Sequence, residues 1–171
     1  MAIDYCSDID HSISMDSKRI LAVAIIGKQN EPLFFTSIGD TSIFGYEYLH
    51  LQMIAHSSLD IVEEKRKKAT LSKQAMGIEC YLGLLCAIDD YKVFGYYSNT
   101  HIKTIVICEA LTAENHARDF INTVNNLYIT ALHNPFQQSA KPITSKLFAK
   151  SIQDILMRNN MNTSPLPKSI Y

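Results

Sequence analysis

The sequence predicts an α+β fold in which a five-stranded, mostly antiparallel sheet carries helices on both faces. One basis is the order of the patterns along the chain, which is β-β-α-β-β-β-α-α. The other is that tight polar turns join the strand patterns into a hairpin and a three-stranded meander, both of which are antiparallel arrangements. The simplest arrangement is a single sheet that joins the hairpin to the meander across the first helix, because helices on both faces then bury the apolar sides of the strands.

The first two strand patterns form the predicted hairpin. Residues 20–26 are aliphatic and rich in β-branched side chains. A segment from Gly27 to Pro32 follows, and an extended pattern resumes over residues 33–37. Because glycine and proline between two apolar runs indicate a turn, we expect a strand, a turn and a second strand.

The first predicted helix covers residues 46–68, which contain neither glycine nor proline. One stripe recurs at helical spacing and consists of Leu51, Ile54, Ala55, Ser58 and Val62. Leu49, Met53 and Ile61 are also apolar but fall outside this stripe. A second apolar face predicts a helix that is covered on two sides, either by other parts of this chain or by another protein.

The meander is predicted from three short extended patterns joined by polar turns. These strands are expected at residues 79–88, 91–97 and 102–108.

Two further helices complete the predicted fold. Thr112 is the expected N-cap of the first, and the Glu114 carboxylate lies in its positive first turn. Apolar residues then follow at helical spacing: Ala117, Phe120, Ile121, Val124, Leu127, Tyr128 and Ala131. This helix is expected to end before Pro135, because proline disfavours helix at the preceding residue. A shorter helix is predicted at residues 145–158.

A chain of 171 residues fits one domain. We predict that the domain covers residues 18–158. Residues 1–17 are polar and acidic without a clear period, which predicts an N-terminal extension. Residues 159–171 contain two prolines and are predicted to form a C-terminal tail.

The charge balance and the apolar runs argue against several classes of function. The chain has 16 Lys and Arg against 17 Asp and Glu, so it lacks the basic field that generic nucleic-acid binding requires. Its apolar runs are much shorter than the ~20 residues of a membrane-spanning helix. The acidic start is unlike a signal peptide. We therefore expect a cytoplasmic protein with no nucleic-acid partner and no direct membrane span.

We find no catalytic, cofactor-binding or metal-binding motif in the sequence. The glycines form neither the GxGxxG nor the GxxxxGK pattern of nucleotide-binding loops. The cysteines, at positions 6, 80, 86 and 108, show no CxxC pair and no metal-ligand spacing with the histidines. Buried, free thiols in a reducing compartment are the expected state. A small enzyme that uses Cys or His chemistry remains an alternative.

Two charged features of the first helix have a structural interpretation and a functional one. Asp60 lies between apolar residues, so it is expected either to have a structural role or to contact a partner. Residues 65–68 are all basic and close the helix, where cations interact favourably with the helix dipole. A solvated helix end is the simpler interpretation of this run. Contact with anionic lipid or an acidic partner is the alternative.

Several segments resemble the sedlin family of trafficking protein particle (TRAPP) vesicle-tethering subunits. They are AHSSLDIVEE at 55–64, YLGLL at 81–85, DDYKVFGY at 89–96, and NPF at 134–136 followed by PITS at 142–145. The strand segments are more similar to the sedlin-like branch of the family than to sedlin itself. The similarity runs in order from about residue 20 to residue 157.

The resemblance implies a longin-like (SNARE-like) fold of five antiparallel strands, with one helix on one face and two on the other. It also implies a non-catalytic subunit of a cytosolic tether that acts between the endoplasmic reticulum and the Golgi. The implied partners are the other TRAPP core subunits and, indirectly, a Rab GTPase on which the assembled core promotes nucleotide exchange.

The resemblance further implies where partner subunits dock. The expected interface residues are Leu49, Met53, Ser57, Asp60, Ile61, Asn134, Pro135 and Phe136. A longin-type adaptor of a SNARE or coat complex is the second interpretation. A longin SNARE carries a heptad-bearing helix and a membrane anchor after the domain, and residues 159–171 have the pattern of neither.

Overall fold

The computed structural model describes residues 19–38, 45–71, 80–134 and 141–161. Its elements are β1 (Ile20–Ile26), β2 (Pro32–Ser37), α1 (Gly45–Leu71), β3 (Tyr81–Ile88), β4 (Tyr91–Tyr97), β5 (Lys103–Glu109), α2 (Glu114–Leu132) and α3 (Lys146–Met161). This is the predicted order of elements, and the bounds differ from the predicted ones by a few residues. The predicted extension at residues 1–17 lies outside the described residues.

The five strands form one sheet in the order β2-β1-β5-β4-β3, and all neighbouring strands are antiparallel. The structure therefore confirms the predicted α+β fold. Helix α1 follows edge strand β2 and precedes the opposite edge strand β3, so it crosses the sheet. β5 is the central strand, β1 lies beside it, and both are buried along nearly their whole length. A strand covered on both faces needs apolar residues on both sides, which explains the uninterrupted apolar run of β1.

The sheet separates two hydrophobic cores. Successive side chains of a strand point to opposite faces, so Val23 and Ile25 pack in the core with α2 and α3, whereas Ala22 and Ala24 pack under α1. One helix on one face and two on the other is the predicted arrangement.

The expected N-cap of α2 was wrong. Ala113 occupies the N-cap position, and its side chain makes no capping hydrogen bond. Thr112 is instead buried, and its hydroxyl donates to the Arg19 carbonyl oxygen at 3.3 Å. Threonine is a favoured N-cap residue, but the Thr112 hydroxyl is already hydrogen-bonded to the residue that precedes β1 and does not cap the helix.

Helix α3 continues beyond its predicted end at Arg158 to Met161, so residues 159–161 are helical and not part of a tail. Asn160 explains the extension. Its Nδ2 donates to the Ile20 carbonyl oxygen at 3.1 Å, and its Oδ1 accepts from the Ile20 amide at 3.0 Å. One side chain thus satisfies both backbone groups of the first residue of β1. Residues 162–171 lie outside the described part of the chain.

Candidate partner-binding surface

The inner face of α1 is formed by the predicted stripe. Leu51, Ile54, Ala55, Ser58 and Val62 are all buried. Small residues on both sides of the contact, such as Ala55 on the helix and Ala24 on the sheet, allow close approach of the two elements. The buried hydroxyl of Ser58 donates to the Ala55 carbonyl oxygen at 2.8 Å, and this hydrogen bond offsets the cost of removing the hydroxyl from water.

The opposite side of the N-terminal half of α1 exposes large apolar side chains. Leu49 is 63% exposed and Met53 is 66% exposed. Tyr46 is 86% exposed and lies on the same side, because residues three, four and seven apart share a helix face. We call Tyr46, Leu49 and Met53 the apolar patch. Tyr46 was not among the predicted interface residues, although its position three residues before Leu49 indicates the same helix face.

Polar residues continue this face after the apolar patch. Ser57 is exposed, and its hydroxyl donates to the Met53 carbonyl oxygen at 2.9 Å. Asp60 is also exposed. A single face therefore presents an apolar end followed by a hydroxyl and a carboxylate.

Ile61 was expected with this outer face, but the structure places it elsewhere. It is half-buried and packs against the core beneath α1. A rotation of about 100° per residue turns Ile61 from the exposed position of Asp60 toward the sheet.

The structure does not bring Asn134 together with the apolar patch. Asn134 is exposed just after α2, which packs on the other face of the sheet from α1. Pro135 and Phe136 lie outside the described residues. Asn134 and the apolar patch therefore lie on different sides of the sheet.

The basic run at the end of α1 is only partly a solvated helix end. Lys65 donates to the carbonyl oxygens of Leu82 at 3.0 Å and Leu84 at 2.6 Å. Because β3 is an edge strand, these contacts cover part of its open side. Arg66 lies 4.3 Å from the centroid of the Tyr97 ring and donates to its hydroxyl. Lys68 is exposed and pairs with Glu64 at 2.6 Å.

Two of the described thiols, those of Cys86 and Cys108, have environments that oppose reactivity. Burial raises the pKa of the Cys108 thiol to about 12, and burial also raises the pKa of Cys86. Because the thiolate is the nucleophile, neither group is activated at neutral pH.

The described ranges contain no group of three or more His, Cys, Asp or Glu side chains placed to hold a metal ion. None of the helices in the described part of the chain combines the length and apolar character needed to cross a membrane.

Comparison with known proteins relates this chain to a single protein family. Residues 25–158 match the protein family described as Sedlin. The trafficking protein particle complex subunit 2-like protein of Dictyostelium discoideum is 35% identical over 141 residues, covering 81% of this chain and 97% of the relative. The protein of the same name from Xenopus tropicalis is 30% identical over 143 residues, covering 80% of this chain and 96% of the relative.

A more distant relative carries a different subunit name. Trafficking protein particle complex subunit 20 of Saccharomyces cerevisiae is 25% identical over 167 residues, covering 80% of this chain and 95% of the relative.

Proposed function

The chain belongs to the sedlin family, and from this membership we propose that it is a non-catalytic assembly subunit of a TRAPP complex. Relatives that carry TRAPP subunit names support this proposal, since the similarity covers nearly their whole length. The proposed place of action is vesicle traffic between the endoplasmic reticulum and the Golgi and at the Golgi. The chain is cytoplasmic in this proposal and reaches those membranes through the complex.

The observation that carries the proposal is the two-sided character of α1. Its inner face fills the core beneath the helix, yet Leu49 and Met53 on the outer face remain more than 60% exposed. Burial of apolar surface contributes about 25 cal/mol per Å², so a covering partner would gain stability from these side chains. The polar residues after the apolar patch resemble the polar rim that surrounds an interface core.

We propose that a neighbouring TRAPP core subunit docks on this outer face. The apolar patch forms the centre of that interface, Ser57 and Asp60 form its polar side, and Ile61 supports the helix from beneath. An interface of ordinary size hides about 800 Å² on each partner, which exceeds the area of the apolar patch alone. The segment from Asn134 to Phe136 is proposed as a second contact, of which the described residue Asn134 lies on the other side of the sheet from α1.

The proposed link to a Rab GTPase is indirect. The assembled core promotes guanine-nucleotide exchange on the Rab, and this chain contributes by assembly and not by contacting the nucleotide. A nucleotide-release assay tests this link. The complex that contains the chain should accelerate release, and the isolated chain should leave the rate unchanged. Acceleration by the isolated chain would contradict the proposed role.

Co-expression of the full chain with the other TRAPP core subunits, followed by size-exclusion chromatography, tests the assembly proposal. We expect the chain to elute with at least one core subunit, ahead of its position when expressed alone. Elution only at the position of the free chain would count against the proposal.

A further inference from the structure

A pocket with a volume of about 680 Å³ opens at the C-terminal end of α1. Its lining residues come from three parts of the chain and include Lys28, Glu63, Arg66, Lys67, Tyr97, His101 and Lys103. Lys28 lies in the turn after β1, and His101 lies in the turn before β5. Two sheet turns and the helix end thus bring bases that are distant in sequence to one place.

Two of these bases are held in fixed positions. Lys103 is 3% exposed, and its ammonium donates to the Asn30 Oδ1 atom. Arg66 rests on the Tyr97 ring and donates to the Tyr97 hydroxyl. That hydroxyl also lies 2.9 Å from the His101 Nδ1 atom. Groups that are held in place before binding lose less entropy when a ligand arrives.

Positive charge exceeds negative charge among the described lining residues. Lys28, Arg66, Lys67 and Lys103 are basic, whereas Glu63 is the acid. The Glu63 Oε1 atom accepts from Asn30 Nδ2 at 3.1 Å, and this hydrogen bond lowers the pKa of the carboxyl group. Since the whole chain has a net charge of −1, the pocket is a local concentration of bases.

The environment of Lys103 is unfavourable for its charge. Its direct partner is a neutral amide oxygen, and desolvation lowers the pKa of its ammonium despite opposing effects from Glu63 and Glu31. Burying a charge costs free energy unless an opposite charge compensates it. An anion in the pocket would supply that compensation.

We propose that this pocket binds a phosphorylated small molecule with more than one phosphate group, either as the headgroup of a lipid or free in solution. A guanidinium such as that of Arg66 matches the geometry of phosphate oxygens, and lysines act as phosphate-binding point charges. The pocket volume lies within the range of about 300–1,000 Å³ that is usual for small-molecule sites. This concave shape favours a compact polyanion over an acidic protein surface.

The pocket and the apolar patch lie at different ends of α1. Met53 and Lys67 are fourteen positions apart, which corresponds to about 21 Å along the helix axis. A partner subunit on the apolar patch therefore leaves room for a ligand in the pocket. The two proposals can fail independently, because the pocket requires no other subunit.

The test uses the isolated full-length chain in two arms. In the first, inositol 1,4,5-trisphosphate is titrated by calorimetry. In the second, vesicles of phosphatidylcholine with phosphatidylinositol 4,5-bisphosphate are compared with phosphatidylserine vesicles of equal charge. Binding of the trisphosphate identifies a ligand recognised in solution. Binding only to the bisphosphate vesicles identifies a lipid headgroup. Either result supports the proposal.

Variants connect the binding to the pocket. Lys28→Ala and Lys67→Ala each remove an exposed lining base, and each should weaken binding about tenfold, the effect of losing one charge-assisted contact. Lys68→Ala is the matched control, since Lys68 is an exposed base on the same helix that pairs with Glu64 outside the pocket lining. The Lys68→Ala variant should bind the phosphate probes with the same affinity as the unmodified chain.

Three results would overturn the proposal. The first is the absence of binding in both arms. The second is an equal loss of binding in Lys68→Ala and Lys67→Ala, which would indicate general charge attraction. The third is binding of a decaglutamate peptide, with the same dependence on Lys67, at an affinity equal to or above that of the phosphate probes. That last outcome would identify the pocket as a site for an acidic protein segment.

Discussion

Single polar side chains join the ends of the elements in this protein. Asn160 connects the end of α3 to the first residue of β1, and Lys65 connects the end of α1 to edge strand β3. Backbone groups at the end or the open edge of a strand need a partner or water. These side chains act where the backbone ladder stops, so they tie the helices to the sheet.

Asn160→Ala tests this role. The change leaves the buried amide of Ile20 without its side-chain partner, so we expect a loss of about 1–3 kcal/mol in the free energy of unfolding. Urea denaturation followed by circular dichroism measures the loss. Asn159→Ala is the control, because the Asn159 side chain donates to Ile155 within its own helix. Equal losses in the two variants would show that the contact with β1 adds nothing.

Cys108 provides a second test at the scale of a residue. Its raised pKa, about 12, means that the thiol stays protonated at pH 8 and only becomes a thiolate in strong alkali. We expect iodoacetamide at pH 8 to label Cys108 more than about a hundredfold more slowly in the folded chain than in urea. Peptide mass spectrometry measures both rates. Equal rates in folded and denatured protein would contradict the burial of Cys108 and reopen the alternative of a reactive cysteine.

Helix α1 has two faces of different character. Its inner face is part of the core, and its outer face presents the apolar patch. A surface helix with one buried stripe needs apolar residues on only one side. The extra apolar residues therefore have a physical explanation if another protein covers them.

Met53→Asp separates these two faces. Met53 is 66% exposed, so the change should alter the free energy of unfolding by no more than about 0.5 kcal/mol. It should weaken assembly with the core subunits at least about tenfold, because a charge would lie at the apolar centre of the interface. Circular dichroism measures the fold, and size-exclusion chromatography with the core subunits measures assembly.

Two control variants define the interpretation of Met53→Asp. Ile54→Ala changes the inner face of the same helix and should lose about 2–5 kcal/mol of stability. Met157→Asp changes an exposed methionine of α3, on the other side of the sheet, and should leave both stability and assembly unaffected. If Met53→Asp unfolds the isolated chain while Met157→Asp does not, Met53 belongs to the core and the proposed interface is wrong.

Local patterns explain why most elements were predictable. The stripe of Leu51, Ile54 and Val62 repeats at helical spacing, and the apolar run of β1 reports a strand buried on both faces. Thr112 and Asn160 were misassigned because each makes its decisive contact with the start of β1, far away in sequence. Spacing along the chain contains no information about such contacts.

At the scale of the whole molecule, one proposed site is formed by a single element and the other is assembled from distant segments. The apolar patch lies within one helix, so Leu49 and Met53 could be recognised from their spacing. The basic pocket joins Lys28, Lys67 and Lys103 from separate segments, so only the fold brings them together. One domain thereby presents both the apolar patch, where we propose that a protein docks, and the basic pocket, where we propose that an anion binds.

The composition of the assembled complex tests the account most directly. Native mass spectrometry, after co-expression of the full chain with the other TRAPP core subunits, measures which subunits remain bound. We predict a stable species that contains this chain and at least one core subunit. It should form with Met157→Asp and be lost with Met53→Asp. Recovery of the unmodified chain only in its free form, or equal assembly by the two variants, would contradict docking on the outer face of α1.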